Sequence, residues 1–314
     1  MSLILLILIP GLLFSQEKLP EESQLLGKST LTMVNGVHSS LSDRLISASN
    51  YLDNFFADER MDDEGSRSKV VVSYLTAYDY FLGLSHEYVI RARLHLPRTE
   101  HKLRLIIDSS EDEVSTNEGD DALIPKKSQV EDRLQELRAA LQYVMLSSKL
   151  WQISANSGVR FTVPPDPFGR LRIRRLFFVD KLKLRFVQSF FWYRSQGVGE
   201  TTSFDIEKSL SDKLFFRSNS RVTALRDSDE LSFRQSFSMF QDIGKKKILV
   251  YSVGAIADLN QPATTNSYYL NAQYRHNFYE KWAFYEIVPS LFFDRVNRFI
   301  ASPGILLRLD IVFG

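Results

Sequence analysis

The chain has 314 residues, and its 39 Lys and Arg against 38 Asp and Glu leave a formal net charge of +1, so no global field draws nucleic acid or an acidic partner. It contains no cysteine, which removes disulfides, thiolate metal sites, Cys nucleophiles and a lipidated Cys together. Aromatic residues reach 12%, with 23 Phe and 13 Tyr beside a charged fraction of 25%, a mixture that suits strands oily on one face and ionic on the other.

The chain opens on an apolar run from Leu3 to Phe14, followed by Ser15 and Gln16. That run is shorter than the roughly twenty residues a helix needs to cross a bilayer. Residues 1–15 therefore read as an export signal peptide, although no Lys or Arg precedes the run. Residues 16–66 read as a periplasmic leader. Within it Leu41, Leu45, Ala48, Leu52, Phe55 and Phe56 recur at three- and four-residue intervals, which predicts an amphipathic helix over 41–56. Ser40 or Ser42 caps it, and an acidic run of Asp58, Glu59, Asp62, Asp63 and Glu64 ends it. Such a helix packs on the periplasmic rim of a barrel, plugs its lumen, or meets an envelope protein partner.

Residues 67–314 change to period two, the mark of strands. The clearest segment is 87–96, where Tyr88, Ile90, Ala92 and Leu94 alternate with Glu87, Arg91, Arg93 and His95. Leu214, Phe216 and Val222 likewise stand opposite Arg217, Asn219 and Arg221. Taken with the polar breaks, the pattern predicts strands near 69–78, 84–96, 101–108, 136–146, 151–163, 170–178 and 181–193. Seven more are expected near 201–209, 213–224, 230–241, 247–257, 267–277, 282–293 and 303–313. The expectation is an all-β, transmembrane, antiparallel up-and-down barrel of about fourteen strands, with twelve or sixteen also open. An even number places both ends of the sheet in the periplasm. The short breaks at 97–100, 147–150, 179–180, 210–212, 242–246 and 278–281 then lie on that side. The long acidic stretch 109–135 lies outside the cell as a solvated loop.

Soluble sandwiches and lipocalin-like barrels alternate too. The meander here runs for most of the chain, and aromatics gather near strand ends, at Phe190, Phe191, Trp192 and Tyr193 and at Phe278, Tyr279, Trp282, Phe284 and Tyr285, as interfacial girdles require. The last strand carries Leu309, Ile311 and Phe313 on one face and resembles the signal read by barrel-insertion machinery, with Gly314 after the aromatic. Outer-membrane lipids are the expected surroundings, and the bacterial outer membrane the expected location.

With the oily faces in lipid, the expected lumen-lining residues are Arg91, Arg93, Arg104, Arg172, Arg174, Lys183, Arg185, Arg217, Arg221, Arg234, Arg275 and Arg308, with fewer acids at Glu87, Asp205, Glu207, Glu286 and Asp310. The excess of bases favours anions, as cationic rings do in pores. Alternatively, ladders such as Arg217 and Arg221 with Asp205 and Glu207 simply fill a closed barrel. No cofactor or metal is expected: His38, His86, His95, His101 and His276 show no ligand spacing. Ser85 and His86 are neighbours on opposite faces, and Gly197–Thr201 reads as a loop, so no catalytic residue is assigned.

Residues 67–314 resemble a group of proteobacterial outer-membrane β-barrel proteins described as hypothetical. The residues that carry the resemblance are Leu96-Pro97-Arg98, Val163-Pro164-Pro165-Asp166-Pro167-Phe168, Gln188-Ser189-Phe190-Phe191-Trp192, Gly197-Val198-Gly199-Glu200-Thr201-Thr202 and Val312-Phe313-Gly314. The resemblance implies a barrel in the outer membrane and transfers no functional residue. The expected role is a passive pore or an accessory of an envelope assembly. A closed docking barrel stands second and an outer-membrane hydrolase third.

Overall fold

The computed structural model describes Phe55 and residues 68–96, 102–109, 137–179, 181–227, 230–260, 263–280 and 282–314. The expected signal peptide and leader lie outside these residues, as does the helix over 41–56 apart from Phe55, and the acidic loop apart from Ser109.

Fourteen strands form one sheet: β1 (Lys69–Asp79), β2 (Gly83–His95), β3 (Leu103–Asp108), β4 (Arg138–Ser147), β5 (Trp151–Arg160), β6 (Asp166–Val179) and β7 (Leu182–Tyr193), then β8 (Gly197–Ser211), β9 (Leu214–Leu225), β10 (Glu230–Asp242), β11 (Lys247–Asp258), β12 (Thr264–Tyr279), β13 (Ala283–Asp294) and β14 (Ala301–Phe313). Every strand pairs antiparallel with its sequence neighbours, and β1 pairs with β14 from Val70↔Phe313 to Asp79↔Gly304, which closes the barrel. Closure gives every strand a hydrogen-bonded neighbour on both sides, with β3 pairing only with Arg91–His95 of β2 among the described residues; closure of this kind is what lets a sheet stand in hydrocarbon.

The pleat then sorts the side chains. In β14, Leu307, Leu309 and Phe313 are exposed while Arg308 and Asp310 between them are buried. In β11 and β12, Tyr251, Val253 and Leu270 are exposed, and Val250, Ser252 and Asn271 are buried. An exposed apolar band recurring on strand after strand is far larger than the patches soluble monomers show. Together with the ionic interior it makes the chain a membrane-spanning barrel of the bacterial outer-membrane type. Both ends of the sheet lie on one side, taken as periplasmic, while β3 ends and β4 begins on the other.

Alternation also corrects several expectations. Phe191, Tyr193 and Phe284 do not join a lipid-facing girdle. Phe190 and Trp192 are 45% and 46% exposed, but Phe191 and Tyr193 are 3% and 0% exposed and pack inside. A run of four aromatics is split by a period of two, which composition alone conceals. Gly197–Thr201 is not a loop but the start of β8, paired with β7 from Tyr193↔Gly197 onward. β5 ends at Arg160 rather than 163, and β6 begins at Asp166 rather than 170.

Two inward glycines explain how the wall accepts large rings. A Cβ on Gly199 would lie 2.3 Å from the Phe191 ring on the adjoining strand, and one on Gly254 would lie 2.4 Å from Tyr269. Each ring covers the missing side chain of its cross-strand partner. Gly199→Ala should therefore lower the unfolding free energy by about 1–3 kcal/mol in a urea titration of the folded protein in bilayers. Gly169→Ala, where the nearest atom is 4.0 Å from the added carbon, should change little.

Candidate functional site

The inner wall concentrates the ionisable groups of the barrel, and strand register decides which of them meet. Arg91 and Arg93 of β2, Arg104 of β3, Arg172 and Arg174 of β6, Lys183 and Arg185 of β7, Arg217 and Arg221 of β9, Arg234 of β10, Arg275 of β12, Glu286 of β13, and Arg308 and Asp310 of β14 all lie on the inward face. The pairings run along one face round the barrel, through Lys183↔Glu207↔Arg217, Arg185↔Asp205↔Asn219 and Arg275↔Glu286↔Arg308. Leu309, Ile311 and Phe313 of the expected insertion signal point the other way, into the lipid-facing band.

On β7–β9 the ladder is tight. Glu207 takes Lys183 Nζ at 3.2 Å and Arg217 Nε at 2.8 Å. Asp205 takes Arg185 Nη1 at 3.4 Å and the Asn219 amide. The Arg217–Glu207 pair matches the expected cross-strand partnership, and Arg221 stands opposite Ser203 and Arg234 in register.

A second cluster occupies the periplasmic half of β12–β14. Arg275 Nη1 lies 2.8 Å from Glu286 and 2.7 Å from Asp310, whose other oxygen accepts from Arg308 Nε at 2.6 Å. Arg308 Nη2 also reaches Ser73 Oγ of β1 at 3.3 Å, so the cluster crosses the closing seam. Arg275 and Asp310 are both 0% exposed. Charges removed from water this completely are tolerated only where geometry returns the desolvation cost.

What covers Arg275 is Phe55. Its carbonyl accepts from Arg275 Nε at 2.9 Å, and its ring meets Phe284 edge-on at 5.6 Å. The Arg275 guanidinium lies 4.7 Å from the Phe284 ring centre. Phe55 shares an apolar cluster with Phe215, Phe240, Ile248, Val250 and Phe284, with Val312 packed against it. The periplasmic half of the inner wall is thus capped by a residue from the chain before β1. The helical spacing flagged Phe55 as apolar and left its helix on the rim, in the lumen or on a partner, without singling out its contact with Arg275.

Near the outer rim lie groups that sequence reading left out. Arg160 Nε donates to Asp166 at 2.9 Å, and Ser195 donates to the same carboxylate through its hydroxyl at 2.7 Å and its backbone N–H at 2.9 Å. Arg160 also stacks 4.4 Å over the Tyr193 ring, whose hydroxyl accepts from Arg170 Nη2 at 3.0 Å. This ties the β5–β6 and β7–β8 connections together. Asp166 sits between prolines and read as loop, which hid its place at the head of β6. Arg138 pairs with Asp108 at 3.0 Å, and Asp79 holds Ser302 Oγ at 2.8 Å across the seam.

Ser85 and His86 fall on opposite faces as expected. His86 Nδ1 lies 3.0 Å from Tyr74 Oη and 3.1 Å from Thr76 Oγ1 on the outer surface. His95 faces inward, and His101 lies outside the described residues. The arrangement offers charge and hydrogen bonds to something inside the barrel, with bases outnumbering acids along β2–β6.

No protein-family model and no curated protein matches the sequence. Among solved structures, the fold is similar to a bacterial polysaccharide outer membrane secretin, with 10% identity, a TM-score of 0.47, and coverage of 79% of this chain and 99% of that one. It is similar to the loop L8 deletion form of the outer membrane protein OmpT of Vibrio cholerae, with 7% identity, a TM-score of 0.46, and coverage of 78% and 98%. It is also similar to an anion-selective porin from Comamonas acidovorans, with 9% identity, a TM-score of 0.44, and coverage of 78% and 98%.

Asp310→Ala would leave Glu286 alone to balance both Arg275 and Arg308. It should lower the unfolding free energy by about 3–5 kcal/mol, measured by denaturant titration in bilayers.

Proposed function

We propose that the protein is an anion-favouring conduit of the outer membrane, narrowed at its periplasmic end around Phe55. The observation that carries this reading is the uneven inner wall. The acids of β7–β9 and β12–β14 are engaged by neighbouring bases, as in Glu207 with Lys183 and Arg217, and Asp310 with Arg275 and Arg308. Arg91, Arg93, Arg104, Arg172 and Arg174 add further positive charge along β2–β6, where the inward acids among the described residues are Glu87, Asp108 and Asp166. A wall of net positive potential lowers the barrier for anions and raises it for cations.

A second reading is favoured by the Phe55 cluster. Inward side chains as short as Ser73 and Ser236 are 1% and 2% exposed, which suits a filled barrel that serves as a scaffold and docks an envelope partner through the chain before β1.

Planar bilayers separate the two. The full-length protein should give ion steps whose reversal potential in a salt gradient reports anion preference, and Phe55→Ala should enlarge them. Arg172→Glu with Arg174→Glu should reduce the preference for anions several-fold. Membranes that stay silent with both the natural protein and Phe55→Ala would remove the conduit and leave the scaffold.

A further inference from the structure

The outer surface breaks its own rule at several points, His86 with Thr76 on β1–β2 among them, and most widely on four neighbouring strands. On β7–β10 the lipid-facing positions Gln188, Glu200, Thr202, Ser218, Ser220 and Gln235 are polar, and they form a diagonal stripe across four adjacent strands. Their orientation is set by register: Gln188 pairs with Thr202, Ser220 with both Phe204 and Gln235, and Ser218 with Phe237. Phe204 and Phe237 are exposed on the outer face. The groups bond to one another. Thr202 Oγ1 donates to Gln188 Oε1 at 2.6 Å, and Gln188 Nε2 donates to Glu200 at 3.3 Å. Gln235 accepts from Ser220 at 2.5 Å and donates to Ser218 Oγ at 3.0 Å. On the next four strands, β11–β14, the outward residues include Tyr251, Val253, Leu270, Ile287 and Leu307, all apolar or aromatic and all at least 36% exposed.

Hydrocarbon offers no hydrogen bonds, so two carboxamides, three hydroxyls and a carboxylate on a lipid-facing wall are costly unless another polar surface covers them. We propose that this stripe is the surface through which the barrel pairs side by side with a second copy of itself in the plane of the membrane. Three features point to a copy rather than a different protein. The stripe carries donors and acceptors of the same kinds, so a copy rotated about an axis along the membrane normal presents amide to amide and hydroxyl to hydroxyl at matching depth. Its one formal charge, on Glu200, lies near the outer end of β8, where water and headgroups screen it between like surfaces. Exposed Phe190, Phe204 and Phe237 border the polar groups and supply apolar packing around them. The pairing is independent of what the lumen carries.

The natural chain has no cysteine, so single thiols report cleanly. Val222→Cys sits between the two hydrogen-bonded groups of the stripe, and Ile90→Cys sits on β2, across the barrel from β9. Phe233→Cys, paired with Val222 on β10, is a second reporter. With purified full-length protein in phosphatidylcholine vesicles, a short bis-maleimide should give a dimer adduct at Val222→Cys and not at Ile90→Cys. Adding Gln188→Leu and Gln235→Leu should cut the adduct at least fivefold while the folded barrel persists. Absence of adduct at both Val222→Cys and Phe233→Cys, or equal adduct on the two walls, would overturn the proposal. So would an adduct of a different mass, found only in native membranes, since that would assign the stripe to another protein.

Discussion

Hydrogen-bond closure between β1 and β14 is the constraint on which the rest of the structure depends. Once Val70 to Asp79 pair with Phe313 to Gly304, every strand has a hydrogen-bonded neighbour on both sides, and the sheet can stand in hydrocarbon. Closure also fixes the side chains: with the register set on every strand, each residue is committed to lipid or lumen, and a slip of one residue would exchange the two sets. Ser73 and Asp79 stitch the same seam from inside, through Arg308 and Ser302. Gly314 lies just past it at a φ of 123°, where a Cβ would come within 2.2 Å of the Ser68 carbonyl.

Charge then divides the interior by wall and by height. Acids on β7–β9 and β12–β14 gather bases into compact clusters that tie adjoining strands together, and Phe55 covers the β12–β14 cluster with an aromatic ring and a carbonyl for Arg275. The β2–β6 wall has bases in excess. Toward the outer rim, Arg160, Asp166, Ser195 and Tyr193 form a latch between two connections. Rigidity and any passage of ions therefore rest on different parts of one inner surface.

Much of this was legible in the sequence because a period of two is a local signal. All fourteen strands were placed, and the face opposite Tyr88, Leu307 or Val222 is where the sequence puts its bases. Strand ends were less visible where glycine and proline mimic loops: Gly197 to Thr201 belongs to β8 because the Phe191 ring fills the space over Gly199, a contact eight residues away in sequence and one strand away in space. Contacts between distant parts of the chain were not readable at all. Phe55 meets Arg275 across 220 residues, and no local pattern encodes that. The polar stripe on β7–β10 was hidden for a different reason. Gln188, Thr202 and Gln235 look ordinary singly, and only register shows that they share one outer patch.

Alternate side chains face hydrocarbon and a sealed interior, and β12 is the strand on which to measure it. Spin labels placed singly at 268 through 274, in vesicles, report the environment directly through collision with oxygen, which concentrates in the bilayer. Labels at 268, 270, 272 and 274 should show high oxygen accessibility and those at 269, 271 and 273 low, a sawtooth of period two. A flat profile, or water-phase accessibility at all seven positions, would contradict the membrane-facing assignment.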